Sequence, residues 1–239
     1  MGPKSTAKLL SDPIIGPSIA PPTSRMRAFV SLGSLVTFVG KLSDQSKQDV
    51  LDSVAICQLS ADKKHDRKEE PIPWLKTFTS AIGKVGWTTN TDSRDTPLID
   101  QETFAIYELT LESIHAVANK AEFASIVETL DALHSFRADD PRLVLLDNCC
   151  VSPTGALLLV VVAREDSNAA TSVLLESYCI VSDTSGSNLL WFRYQSSRCK
   201  VFQTSSSHTL SEDVFSNVRG LIRDKLKGLD GSGIIDVGI

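Results

Sequence analysis

Two hundred and thirty-nine residues, 42% apolar and 22% charged, fall in the ordinary globular range. That composition excludes general disorder, and the length suffices for a core that needs no disulfide or metal staple. Twenty-four basic residues against twenty-nine acidic ones leave a net charge of −5, which argues against a dedicated nucleic-acid binder.

The opening MGPKSTAKLL has no apolar run of signal-peptide length, and no segment reaches about eighteen consecutive apolar residues. Five cysteines stand at 57, 149, 150, 179 and 199, an odd number without C-x-x-C spacing. Neither a secreted disulfide framework nor structural zinc is expected from that set, and a cytoplasmic protein is.

Five of the ten prolines (Pro3, Pro13, Pro17, Pro21 and Pro22) crowd the first 22 residues. Proline removes backbone donors, so residues 1–24 are predicted to form an extended arm ahead of one domain over 25–239. Phe29, Leu32, Val36 and Val39 recur at spacings of three and four, a helical period, while the Val and Thr content leaves a strand open. Ser43 is placed to cap a second helix carrying Val50, Val54, Cys57 and Ala61 on one stripe. Pro73 suits the first turn of a third, with Trp74, Leu75, Phe78 and Ile82 on its apolar face and Gly86 as a left-handed stop. A short strand is expected over 104–109 and a helix over 111–118. Asn119 and Glu122 have capping-box spacing ahead of Phe123, Ile126, Leu130 and Leu133. The helical part is thus predicted to span 29–138, closed by Asp139-Asp140-Pro141.

Beyond Pro141 the period changes. Short β-branched and aromatic runs at 143–146, 156–163, 172–181, 189–194 and 199–204 are separated by turn-forming residues, which predicts a mostly antiparallel sheet. The unbroken run Leu157 to Val162 predicts a central strand covered on both faces. A last amphipathic helix is read from Thr209, capped through Glu212 and stopped at Gly228, and a final strand over 234–239. The fold class is α+β, with a helical N-terminal half packed on a mostly antiparallel C-terminal sheet over 142–239.

Chemistry-bearing residues occur singly. Cys149 and Cys150 follow Asp147-Asn148, and a cysteine nucleophile needs a base, for which His115, His134 and His208 are the weak candidates. No local catalytic signature surrounds either thiol. The four histidines have no ligand-pair spacing, so no metal is expected. The glycines of GLDGSG (228–233) follow a helix and precede a strand, the reverse of a phosphate loop, and no cofactor is expected. Basic and aromatic residues near Trp191 and Tyr194 are diluted by Glu212, Asp213 and Asp224, so no nucleic-acid site is expected either.

These observations favour a non-enzymatic interaction or self-assembly protein. Its arm and the apolar residues Phe29, Leu32, Val36 and Val39 would contact a protein partner or a second copy. A toxin-like protein that inserts apolar segments into a membrane, or is acylated on a cysteine, is the second reading. A cysteine-dependent hydrolase or transferase is the third.

Overall fold

Two short, largely apolar runs on either side of a two-residue turn make a hairpin, and this is what 27–38 forms. In the computed structural model, which describes residues 27–95, 99, 101–227 and 233–239, β1 (Arg27–Ser31) and β2 (Ser34–Phe38) pair antiparallel around Leu32-Gly33. The helical reading of Phe29, Leu32, Val36 and Val39 is therefore corrected: Phe29 and Val36 lie in strands, Leu32 in the turn between them, and Val39 just beyond β2. All five residues of β2 are buried, so an apolar period of three or four marks coverage on both faces here and not one helical stripe. The proline-rich arm lies outside the described residues.

The second helix forms as its caps dictate. The Ser43 hydroxyl accepts from the Ser46 N–H at 3.0 Å and opens α1 (Asp44–Asp62). Prolines occupy the first turn of α2 (Pro71–Lys84), and Gly86 follows at φ +98°, a conformation that costs a side chain dearly. Next come β3 (Trp87–Asp95), the two-residue β4 (Thr103–Phe104) and α3 (Ile106–Val117), so most of the strand expected over 104–109 is helix. Asn119 and Glu122 cap α4 (Lys120–Ser135) reciprocally, as their spacing predicts.

Asp139-Asp140-Pro141 does not end the helical region. Asp140 accepts from the Arg142 N–H and Pro141 takes the first position of α5 (Pro141–Cys150), so the strand predicted at 143–146 is a helix. The rest of the order is β5 (Val151–Ser152), β6 (Gly155–Glu165), β7 (Thr171–Ser182), β8 (Tyr194–Gln195), β9 (Cys199–Leu210), α6 (Glu212–Leu226) and β10 (Ile234–Asp236). Leu189–Leu190 is not strand, and Thr209 belongs to β9, which leaves Ser211 as the cap residue of α6. The glycines at 228–232 lie outside the described residues.

Seven of these strands lie in the order β10-β1-β2-β6-β7-β9-β3, with β5 paired to β6. Neighbours are antiparallel except β2 and β6. The fold is α+β with a mostly antiparallel mixed sheet, and β1, β2 and β3 come from the N-terminal half. Residues Gly155 to Ala163 of β6 are all buried, as the unbroken apolar run predicts. Side chains alternate across the strands to feed two cores. On the first face Leu158, Val160, Val162, Tyr178 and Ile180 pack under α3, α4 and α5. On the second, Leu157, Leu159, Val161, Leu175 and Cys179 pack under α1, α2 and α6.

Candidate functional site

The two thiols singled out in sequence end α5, close to the β1–β2 turn. Cys150 is buried and its S–H donates to the Gly33 carbonyl at 3.3 Å. Burial pushes this thiol up to about 12 and also raises Cys149, so neither is an activated thiolate. The neighbour of Cys150 is a buried cation, Arg67. Its guanidinium donates to the carbonyls of Gly33 at 2.6 Å and Leu157 at 3.0 Å and to Gln58 Oε1 at 2.8 Å, and it lies 4.4 Å over the Trp74 ring. A Cβ on Gly33 would fall 2.2 Å from this guanidinium, so only glycine permits the approach. The node ties the β1–β2 turn, α1 and β6 together, a structural role.

The candidate bases lie elsewhere. His115 on α3 packs edge-on to Phe123, and His134 on α4 sits 5.0 Å from Trp191. His208 on β9 is fully buried between Thr89 Oγ1 at 3.2 Å and Ser206 Oγ at 2.9 Å, and burial pushes its imidazole down toward the neutral form. The histidine that shares a cleft with a cysteine is His65, which lines a 430 Å³ opening with Cys149, Asp62 and Lys68. Of the predicted contact residues, Val36 and Val39 are buried, whereas Phe29 and Leu32 are half-buried. Among the described residues no group of three or more His, Cys, Asp or Glu could hold a metal.

A different region gathers open space and unusual side chains: the long-strand half of the sheet. Strands β6, β7, β9 and β3 are 11, 12, 12 and 9 residues long and pair in that order, each antiparallel to the next. Their helical cover is incomplete. On the second face a 410 Å³ cleft opens between α2 and the sheet, with Leu75, Leu175 and Phe202 below and Lys76 and Thr204 at the rim. Phe202 is 38% exposed there. On the first face a 530 Å³ groove runs along β7, β9 and β3.

Polar contacts fasten the first-face helices to the sheet. Ser113 of α3 bonds the Tyr178 hydroxyl, Thr129 of α4 meets Thr37 of β2 at 3.3 Å, and Arg164 of β6 pairs with the buried Glu122 of α4. Beneath them Glu176 is fully buried on β7. It accepts from Gln203 Nε2 at 3.3 Å, and burial raises its carboxyl to about 7. Apart from Glu122, legible only as a cap, these residues do not stand out in sequence, and hydroxyl-rich runs such as Thr204 to Ser207 have the composition of turns.

No family model and no curated protein matches the chain. Among solved structures it is similar to a delta-endotoxin at 14% identity and TM-score 0.43, over 88% of this chain and 96% of that one. It is also similar to activated Cyt2Ba monomer from Bacillus thuringiensis subsp. israelensis at 12% identity and TM-score 0.43, over 74% and 97%. The Evf virulence factor follows at 11% identity and TM-score 0.37, over 83% and 80%. Each likeness is weak.

Proposed function

We propose that the protein is membrane-active and toxin-like, and that it meets the bilayer with strands. The observation that carries this reading is the antiparallel ribbon β6–β7–β9–β3, whose members run 9 to 12 residues and whose register shifts once, between Thr89 and Thr91 of β3. A strand needs about 9 to 11 residues to cross a bilayer, and a sheet can satisfy its backbone there through its neighbours. No described helix is long and apolar enough to do the same. The two faces of the ribbon also differ in the direction such a role requires. That difference is confined to β7 and β9, β6 being apolar on both faces: Val173, Leu175, Cys179, Phe202 and Leu210 lie on the second face among Ser177, Thr204, Ser206 and His208, while Glu176, Gln203, Ser205 and Ser207 lie on the first beside Leu174, Tyr178, Ile180 and Val201.

In this conformation helices cover much of both faces, so a sheet that crosses the bilayer must shed both helical layers, and locking either one blocks insertion. Dye release from phosphatidylcholine–phosphatidylglycerol vesicles tests this directly. The T37C/T129C variant, with Cys149 and Cys199 replaced by serine, would cross-link α4 to the sheet where two hydroxyls now lie 3.3 Å apart. The expected result is release by the reduced variant and none by the oxidised one. Equal release by both would sink strand uncovering, and no binding to any vesicle would sink the membrane reading.

One observation favours a second, compatible reading as a self-assembling protein. Strand β3 ends the sheet, with no described strand beyond it, and most of its described side chains are exposed. An uncovered edge of this length accepts a strand from a second copy. Light scattering of the full chain with and without vesicles would show growth beyond the monomer, and a constant monomer would refute it.

A further inference from the structure

The groove on the first face of the sheet has a chemistry that membrane insertion does not call for. Its floor is a lattice of hydroxyls and an amide on adjacent strands. Thr91 meets Ser207 at 2.7 Å, Asn90 donates to Thr209 at 2.9 Å, and Ser205 and Ser93 continue the row. One wall carries the Arg164–Glu122 pair and Asp166. The charges there sum to −1, with the only cation already bound to a carboxylate, so the groove does not suit an anion. Val117, 55% exposed, and Leu174 add small apolar surfaces between the polar groups.

One lining group has no partner. The Ser172 hydroxyl is buried, its residue being 7% exposed, and it makes no hydrogen bond in the protein. A buried hydroxyl left unpaired costs free energy, and a ligand or water that pairs it recovers that cost. Groups that both donate and accept, interleaved with patches of aliphatic carbon and near-neutral overall, complement a molecule with the same alternation on its own surface.

From this we infer that the groove is a binding site for a neutral carbohydrate, whose ring hydroxyls would meet the row from Thr91 to Ser172 and whose C–H faces would meet Val117 and Leu174. At 530 Å³ the space lies within the range of small-ligand sites. The inference does not rest on the membrane reading, since binding of a free sugar needs no bilayer.

Saturation-transfer NMR on the full chain, without lipid, tests it with maltotriose, chitotriose and mannotriose, and with sialyllactose as the anionic comparison. At least one neutral trisaccharide is expected to receive saturation, and sialyllactose less. Ser172→Ala breaks no protein hydrogen bond and Thr91→Val keeps the shape of its side chain, so both should stay folded, and circular dichroism verifies that. Each is expected to weaken the Kd of the bound sugar about tenfold, the loss of roughly one hydrogen bond. No transfer to any neutral sugar, stronger transfer to sialyllactose, or an unchanged Kd in both variants would overturn the assignment. Vesicle leakage could still be observed in each of those cases, so the two proposals fail separately.

Discussion

Glu176 is the residue whose environment departs furthest from what its type prefers. A carboxyl fully buried on β7, with Gln203 donating to it and Ser205 opposite, holds its proton up to about pH 7 in the folded chain. The unfolded chain releases that proton near 4.5. Below about pH 4.5 both states are protonated and nothing is lost. As pH rises toward 7 the unfolded state ionises first, so folding stability falls, by on the order of 3 kcal/mol once both have titrated. Urea denaturation at pH 4.5, 6 and 8 should show this decline in the native sequence and a flatter profile in Glu176→Gln. Equal slopes in the two proteins would place the carboxyl in water and not in the core.

At the scale of elements, α1 and α6 are joined by charge as well as by a shared apolar core. Asp49, 1% exposed, accepts from Arg219 at 3.0 and 2.9 Å and from Arg223 at 3.4 Å, while Asp52 accepts from Arg223 at 3.2 Å. Asp49→Ala removes the buried acceptor of both arginines but leaves Arg219 with Glu212 and Arg223 with Asp52, so it is expected to cost about 2 kcal/mol, the loss of a charged hydrogen-bond acceptor. Glu212 bonds the same Arg219 from an exposed position, and Glu212→Ala is expected to cost less than about 1 kcal/mol. Comparable midpoint shifts for the two in urea would refute this ranking. The caps of α1 and α4 were legible from residue types alone, since Ser43 and the Asn119–Glu122 pair act as their spacing dictates, whereas that of α6 was not, Thr209 belonging to β9. Two of the misread elements share one cause. Phe29 to Val39 and Leu143 to Leu146 are short and largely apolar, and such runs satisfy a buried strand and a helix equally. Asp140-Pro141 then decided the second case as a start signal, although it also has the composition of a stop. The groove was illegible for a different reason. Its hydroxyls come from β3, β7 and β9, more than eighty residues of chain from first to last, and adjacency of strands in space leaves no mark on spacing in sequence.

For the whole molecule, the sheet sets a gradient of protection. Strand β6 lies at its centre with both faces covered, and β3 forms an open margin. Amide hydrogen exchange should therefore be slowest in Leu157–Val162 and fast at the outward N–H groups of β3, because opening the centre requires disrupting both cores. A uniform rate across the sheet would contradict the two-core arrangement.

The pairing of β2 with β6 has a consequence for how the chain is made. Thr37 lies opposite Val162, and Phe29 opposite Asp236. A nascent hairpin leaving the ribosome thus waits for more than a hundred further residues before its inner neighbour exists, and for nearly the full length before its outer one does. Closing loops of that size is slow, and two apolar strands exposed in the interval are prone to aggregate. Efficient production should thus depend on chaperone capacity during translation.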